Sequence, residues 1–339
     1  IYNYYDCPEH GHFKVLFWRD ADMYVNWMRQ GIHAPAKDRG HPEEHGCPYD
    51  CGLCDAHHSG TCTSILEITY RCNMQCKICF ADANAERFDP DREQIRRMFK
   101  TALGANKYCS VQLSGGEPTV RDDLPALYPA CPCRVSCGIS HHPRRRTGGI
   151  SGRSRPPSAD ADSLYPARFG YRLSPGQTPP DESRCGLDDV LHALTEQCPE
   201  ELAMDNFVPR KQFDPHCDFS STYYLDENGK LICMTQFHQN DCDTEQTDFV
   251  EKTNKYTDKR WRIQDGAEEK AKTSPLMKFA LRTLTHSFSI SGKGFQDVWN
   301  IDLGRLQGCC VHMITGDGAV VPFCAFHLTS ETGERLYHN

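Results

Sequence analysis

Apolar and polar positions along the chain recur in a few distinct blocks. SILEIT at 64–69 alternates like a short strand, REQIRRMFKTAL at 92–103 has the spacing of an amphipathic helix, and CSVQL at 109–113 returns to a strand pattern. Strand, helix and strand in that order predict a parallel βαβ unit. Farther on, LDDVLHALTEQ at 187–197 predicts a helix, and TYYLDENGKLICM at 222–234 predicts two short strands around an Asn-Gly turn. A long polar stretch of helical character runs from about 244 to 285, and residues 311–323 read as strand, Gly-Asp-Gly turn and strand. No repeat of solenoid period is present.

One block breaks the pattern. Residues 131–185 hold 8 Pro, 6 Gly, 8 Ser and 9 Arg but no Lys, and only 6 residues are Val, Ile, Leu or Phe. Such a stretch cannot bury enough apolar surface to offset its ordering entropy, so it is expected to be largely disordered. Its composition resembles out-of-frame translation or a foreign insertion more than an evolved linker. The predicted organisation is therefore an N-terminal lobe at 1–46, a cysteine module at 47–63, the start of an α/β core at 64–130, the atypical segment at 131–185, the remaining core and helical region at 186–300, and a cysteine-rich hairpin at 301–339.

A chain of 339 residues is too long for a disulfide-stapled miniprotein. Its net charge of -8 argues against a general nucleic-acid binder, although the atypical segment carries a small basic patch, HHPRRR, at 141–146. No apolar run is long enough to predict a membrane-spanning helix. Sulfur changes the picture, because 20 cysteines imply either disulfides in a secreted chain or metal. No secretory leader is visible, although the chain begins at Ile1 without a methionine, and the spacings favour metal.

Cys72, Cys76 and Cys79 form a Cys-x3-Cys-x2-Cys triplet directly behind the first predicted strand. Three thiolates can hold an iron-sulfur cubane and leave one iron open to a ligand. Behind the second predicted strand comes Ser114-Gly115-Gly116-Glu117-Pro118, where glycines let backbone approach a ligand and Pro118 stiffens the exit. Glu117 offers an acceptor there, or serves as a local turn or cap residue. A second triplet of the same spacing, Cys47, Cys51 and Cys54, has Cys62 eight residues on as a natural fourth ligand, which suits an auxiliary cluster or zinc. His57 and His58 are alternative ligands nearby, though adjacent histidines on a surface are more often solvated. Cys309, Cys310 and Cys324 flank the last predicted hairpin, with His312 close by, and suit a further auxiliary cluster completed by a residue such as Cys217 or Cys233. In that pair of adjacent cysteines one can equally be a buried bystander. Cys7, in CPEHG, suits half of a rubredoxin-like or zinc-ribbon site for a mononuclear iron or zinc, its other half expected upstream of Ile1. Cys109, Cys185, Cys198 and Cys242 show no partner spacing, and Cys131, Cys133 and Cys137 carry no assigned role.

The triplet followed by SGGEP resembles the radical S-adenosylmethionine superfamily. CPEHG, GCPxxCGLCxxHxxxTC and a CC-x-H hairpin ending in PFC resemble, more narrowly, its multi-cluster group that includes archaeal tetraether lipid synthases and class D pterin methylases. The likeness covers about residues 1–130 and 186–339. It implies a partial (β/α)6 barrel with cysteine-rich N- and C-terminal extensions, a [4Fe-4S] cluster on Cys72, Cys76 and Cys79, and S-adenosylmethionine flanked by Phe80 and residues 114–118. It further implies one or two auxiliary iron-sulfur clusters and a low-potential electron donor such as ferredoxin or flavodoxin. A 5'-deoxyadenosyl radical would serve carbon-carbon bond formation or methyl transfer on a lipid chain or a pterin. Oxygen-sensitive clusters and no visible leader imply a cytoplasmic, anaerobic setting, with contact to a membrane surface if the substrate is lipid.

The chain departs from this group where further βα units should stand. Residues 131–185 fill that place, so several barrel strands are expected to be missing. A catalytically inactive iron-sulfur or zinc protein is accordingly the alternative expectation.

Overall fold

A computed structural model describes residues 1–28, 41–74, 79, 81, 83, 89–107, 109–127, 135–137 (as backbone), 180–210, 213–235, 274–329 and 335–337. The chain divides into two compact units that interleave in sequence. One comprises Ile1, Trp18–Ala36 and Gly186–Phe295; the other comprises Tyr2–Phe17, Lys37–Cys185 and Gln296–Asn339. The fold is mixed α/β with three sheets among the described residues, none of them closed.

The second unit carries the predicted βαβ element. Strand β3 is Thr63–Thr69, helix α2 is Arg92–Ala105, and β4 is Ser110–Gly115, paired parallel to β3. Six consecutive residues of β3 are buried, as expected of a strand covered on both faces. A capping box starts α2: Asp91 Oδ1 accepts from Gln94 N at 2.7 Å, and Gln94 Oε1 accepts from Asp91 N at 2.8 Å. Ile95, Met98, Phe99 and Ala102 recur at helical spacing and pack on Leu66, Ile68, Val111 and Leu113, so α2 covers one face of the sheet.

The sheet continues beyond this unit on both sides. Strand β9, Val311–Ile314, pairs parallel to β3, and β10, Val320–Pro322, pairs antiparallel to β9. On the far edge, β5 at Val135–Cys137 pairs parallel to β4. The face away from α2 is covered near β9 by Leu306, Ala325 and Phe326, packed on Ile65, Met313 and Val321. An antiparallel hairpin, β1 at Tyr2–Cys7 and β2 at Gly11–Leu16, belongs to the same unit.

The first unit is built on a three-stranded antiparallel sheet, with β6 at Asp218–Leu225 between β7, Leu231–Cys233, and β8, Ser287–Lys293. Asp226 accepts from Asn228 N and Lys230 N, and Gly229 takes φ +80°, closing the expected Asn-Gly turn. Helix α4, Leu187–Gln197, lies where the pattern placed it, and the helix Pro275–Thr285 is the described part of the polar stretch. Most of residues 131–185, and residues 244–273, lie outside the described residues.

Behind β3, Arg121 is buried and donates from Nη1 to Ile68 O at 2.5 Å and Pro90 O at 2.9 Å. Its Nε and Nη2 clasp the two oxygens of Asp123 at 2.8 and 3.0 Å, and Arg92 Nε adds a contact at 3.1 Å. Arg121 first, with Arg92 behind it, pulls the Asp123 carboxyl down to about 2 against the opposing effect of burial. A folded-state pKa below the unfolded value stabilises the fold above roughly pH 4, and that contribution is lost as pH falls towards 2. Asp123→Asn is therefore expected to flatten the acid limb in this window. Urea midpoints measured against pH for both proteins read it, and identical limbs would contradict the assignment.

Candidate metal and cofactor site

At the ends of β3 and β4, Gly115 stands opposite Thr69. Gly116 N donates to Thr69 O at 2.7 Å, and Glu117 N donates to Arg71 O at 3.0 Å. The glycine string is thus laced backbone to backbone along the residues that lead into Cys72. Such an approach excludes side chains: a Cβ on Gly115 would fall 2.2 Å from Thr69 O, and one on Gly116 would fall 2.1 Å from Arg71 O. Gly115 also takes φ +108°, a conformation open to glycine and strained for other residues.

Asp89 holds the exit of β3 from the other side. It accepts from Thr69 Oγ1 at 2.8 Å, Tyr70 N at 2.9 Å and Arg71 Nε at 2.8 Å. Burial pushes its carboxyl up, but these donors outweigh it and hold it below the usual carboxylate range. Asp89 escaped the sequence reading because an acid before a proline gives no local sign of such a role.

Glu117 is buried, and its Oε1 accepts from Thr119 N at 3.1 Å and Thr119 Oγ1 at 2.7 Å, capping the short turn Pro118–Val120. The local capping role weighed from the sequence is therefore present. Pro118 is buried, while Ser114, on β4, pairs with Glu67 of β3. Cys72 and Cys79 are exposed, their sulfurs accepting from Met74 N at 3.4 Å and Ala83 N at 3.3 Å. Cys76 and Phe80 lie outside the described residues.

Cys47, Cys51 and Cys54 surround a hollow of about 260 Å3, partly open to solvent, whose wall is completed by His57, Gln307 and Pro322. The loop between them is held in an unusual backbone, with Leu53 at φ +62° in the left-handed region that bulky residues avoid. Burial, then neighbouring Cys54, pushes the Cys47 thiol up to about 11. Burial also pushes Cys51 up to about 12, with Cys47 and Cys54 adding to it against a hydrogen bond with Tyr337. Several thiolates around one hollow repel each other unless a cation neutralises them, so the donors match a sulfur-seeking metal in chemistry and placement. As they stand, no three Cys, His, Asp or Glu side chains among the described residues are placed to hold a metal ion together. Binding one would require the side chains to turn.

Cys62 does not line that hollow. It enters the sheet, with its N donating to Cys310 O at 2.8 Å and its O accepting from Ser110 N at 3.0 Å. Cys310 is buried beside it, Cys309 Sγ lies 3.2 Å from Val311 O, and Cys324 Sγ accepts from Gln296 N at 3.4 Å. Cys47, Cys51 and Cys324 all pack against the same buried cluster around Met313 and Phe326. Cys217 and Cys233, named as completing ligands for the last group, fall in the other compact unit.

His57 differs from the expected solvated histidine: it is only 5% exposed, whereas His58 is exposed. At the tip of the first hairpin, Cys7 Sγ lies 3.2 Å from His10 Nδ1, and that hydrogen bond holds the thiol below its ordinary range.

No protein-family model matches the chain. Across 95% of its length, however, it is similar to a methyl-transferring enzyme. That relative is the 7,8-dihydro-6-hydroxymethylpterin dimethyltransferase of Methanocaldococcus jannaschii, 24% identical over 449 aligned positions that cover 87% of the relative. The alignment is longer than the 339 residues of this chain, so on the order of a hundred positions of the relative have no counterpart here. No helix among the described residues is long and apolar enough to cross a membrane.

Proposed function

We propose that the chain is a radical S-adenosylmethionine enzyme of the methyltransferase type, with a pterin as substrate class. The observation that carries this reading is the lacing of Gly115 and Gly116 onto Thr69–Arg71, immediately before Cys72. Similarity to a pterin dimethyltransferase over 95% of the chain supports it and favours a pterin over a lipid. Cys72, Cys76 and Cys79 would hold a [4Fe-4S] cluster at the mouth of the parallel strands. When bound and reduced, such a cluster supplies one electron for cleaving S-adenosylmethionine to methionine and a 5'-deoxyadenosyl radical.

The chain's own residues then have defined tasks. Gly115 and Gly116 leave room for the amino-acid end of the cofactor, and the Glu117 cap fixes the turn behind them. Asp89 pins the strand exit so that the first cysteine is presented from a fixed point. Cys47, Cys51 and Cys54 would hold an auxiliary metal group, and the reductant would be a low-potential protein such as ferredoxin or flavodoxin.

One observation favours a second reading. The sheet is open, and about a hundred positions of the relative have no counterpart, so the chain could bind its metals yet lack the walls of a reaction chamber. Anaerobic reconstitution with iron and sulfide, then dithionite and S-adenosylmethionine, separates the two. The enzyme reading expects 5'-deoxyadenosine, released faster when 7,8-dihydro-6-hydroxymethylpterin is added. Bound iron without nucleoside would favour the inactive protein, and absence of bound iron would defeat both.

A further inference from the structure

We infer that His57, through its Nδ1 atom, is the fourth donor of the metal centre on Cys47, Cys51 and Cys54, and that Cys62 stands outside that centre. The inference rests on the proposal that these three thiols hold a metal, and it adds the residue that completes the set.

Backbone geometry brings His57 to the hollow. Its N donates to Cys54 O at 2.9 Å, closing a turn directly after the third thiol, and its buried ring lines the same hollow as the three sulfurs. The far side of the ring is then fixed by the C-terminal segment. His57 Nε2 lies 2.8 Å from Cys309 O, and a carbonyl can only accept, so Nε2 carries the proton. In that tautomer the lone pair sits on Nδ1. Histidines that bind metals commonly donate their other ring N–H to a backbone carbonyl, which sets both tautomer and ring orientation.

His312 tightens the arrangement. It is fully buried on β9, with Nδ1 2.9 Å from Thr61 Oγ1, and its ring packs on His57 with centroids 5.0 Å apart. Two elements distant in sequence therefore hold one imidazole in one orientation. Cys62, by contrast, has its backbone committed between Cys310 and Ser110 and contributes nothing to the hollow's lining. Three thiolates and one imidazole form a recognised donor set for zinc and related divalent ions.

Cobalt(II) provides a direct test, since its visible spectrum reports thiolate number. The full chain carrying Ala at positions 72, 76 and 79 is titrated anaerobically with Co2+, and Cys47→Ser identifies the signal of this centre. His57→Ala is expected to weaken that signal's affinity at least about 10-fold, by analogy with losses from disturbed ligand shells. Cys62→Ser is expected to leave it unchanged. His57→Cys guards against simple misfolding: it should keep the centre and add thiolate-to-cobalt charge-transfer intensity. If Cys62→Ser abolishes the signal while His57→Ala retains parental affinity, the inference is overturned. If Cys47→Ser itself changes nothing, the three thiols hold no metal, and the underlying proposal falls with it.

Discussion

Replacing Cys72, Cys76 and Cys79 together by alanine is expected to remove about four irons per reconstituted chain, the content of one cubane, and to reduce 5'-deoxyadenosine release to background. Stability should stay within about 0.5 kcal/mol of the parent, as for other exposed positions outside the core. Cys72 and Cys79 are both exposed, and their sulfurs accept only from nearby backbone N–H groups in the described contacts. The loss would therefore be one of chemistry rather than of folding. Iron analysis, nucleoside chromatography and a urea titration on the same preparation read all three quantities. Unchanged iron and nucleoside would remove the foundation of the proposed function.

Gly115→Ala should act differently, costing about 3 kcal/mol or more of stability and lowering nucleoside release at least about 10-fold in whatever fraction folds. The new methyl group would meet Thr69 O at 2.2 Å, and no flexible side chain is there to yield. To relieve the clash, the strand end must move, which breaks the bond from Gly116 N to Thr69 O and displaces the lead into Cys72. Gly104→Ala in α2 is a control of opposite sign. Nothing lies within 4 Å of a Cβ there, so the same change should stabilise by about 0.5–1 kcal/mol through helix propensity. Equal effects at the two glycines would show that the close approach at Gly115 carries no weight.

Local periodicity made much of this architecture legible. LDDVLHALTEQ reads as a helix because Leu187 and Leu191 share its buried face, and the helix found is Leu187–Gln197. The βαβ unit was equally readable, since SILEIT and CSVQL frame one amphipathic helix. Pairings between distant segments were not. Nothing in VHMI announces that β9 lies parallel to β3, because strand order is set by tertiary packing and not by alternation. Nor does linear order reveal that Trp18–Ala36 belongs with Gly186–Phe295 in one compact unit.

The candidate site divides along the same line. Spacing exposed the cysteine triplets and the glycine string, which are local signals. It could not show that Glu117 caps its own turn, that Asp89 fastens the strand exit, or that His57 is buried against residues of the C-terminal hairpin. Each depends on a partner that becomes adjacent only after folding.

The hollow beside Cys47, Cys51 and Cys54 borrows Gln307 and Pro322 for its wall, and His57 meets Cys309 across 252 positions of sequence. On the ribosome these thiols emerge long before that wall does. Metal delivery to this pocket is consequently a late event in biosynthesis, and a nascent chain must keep its sulfurs reduced until the final strands have been made.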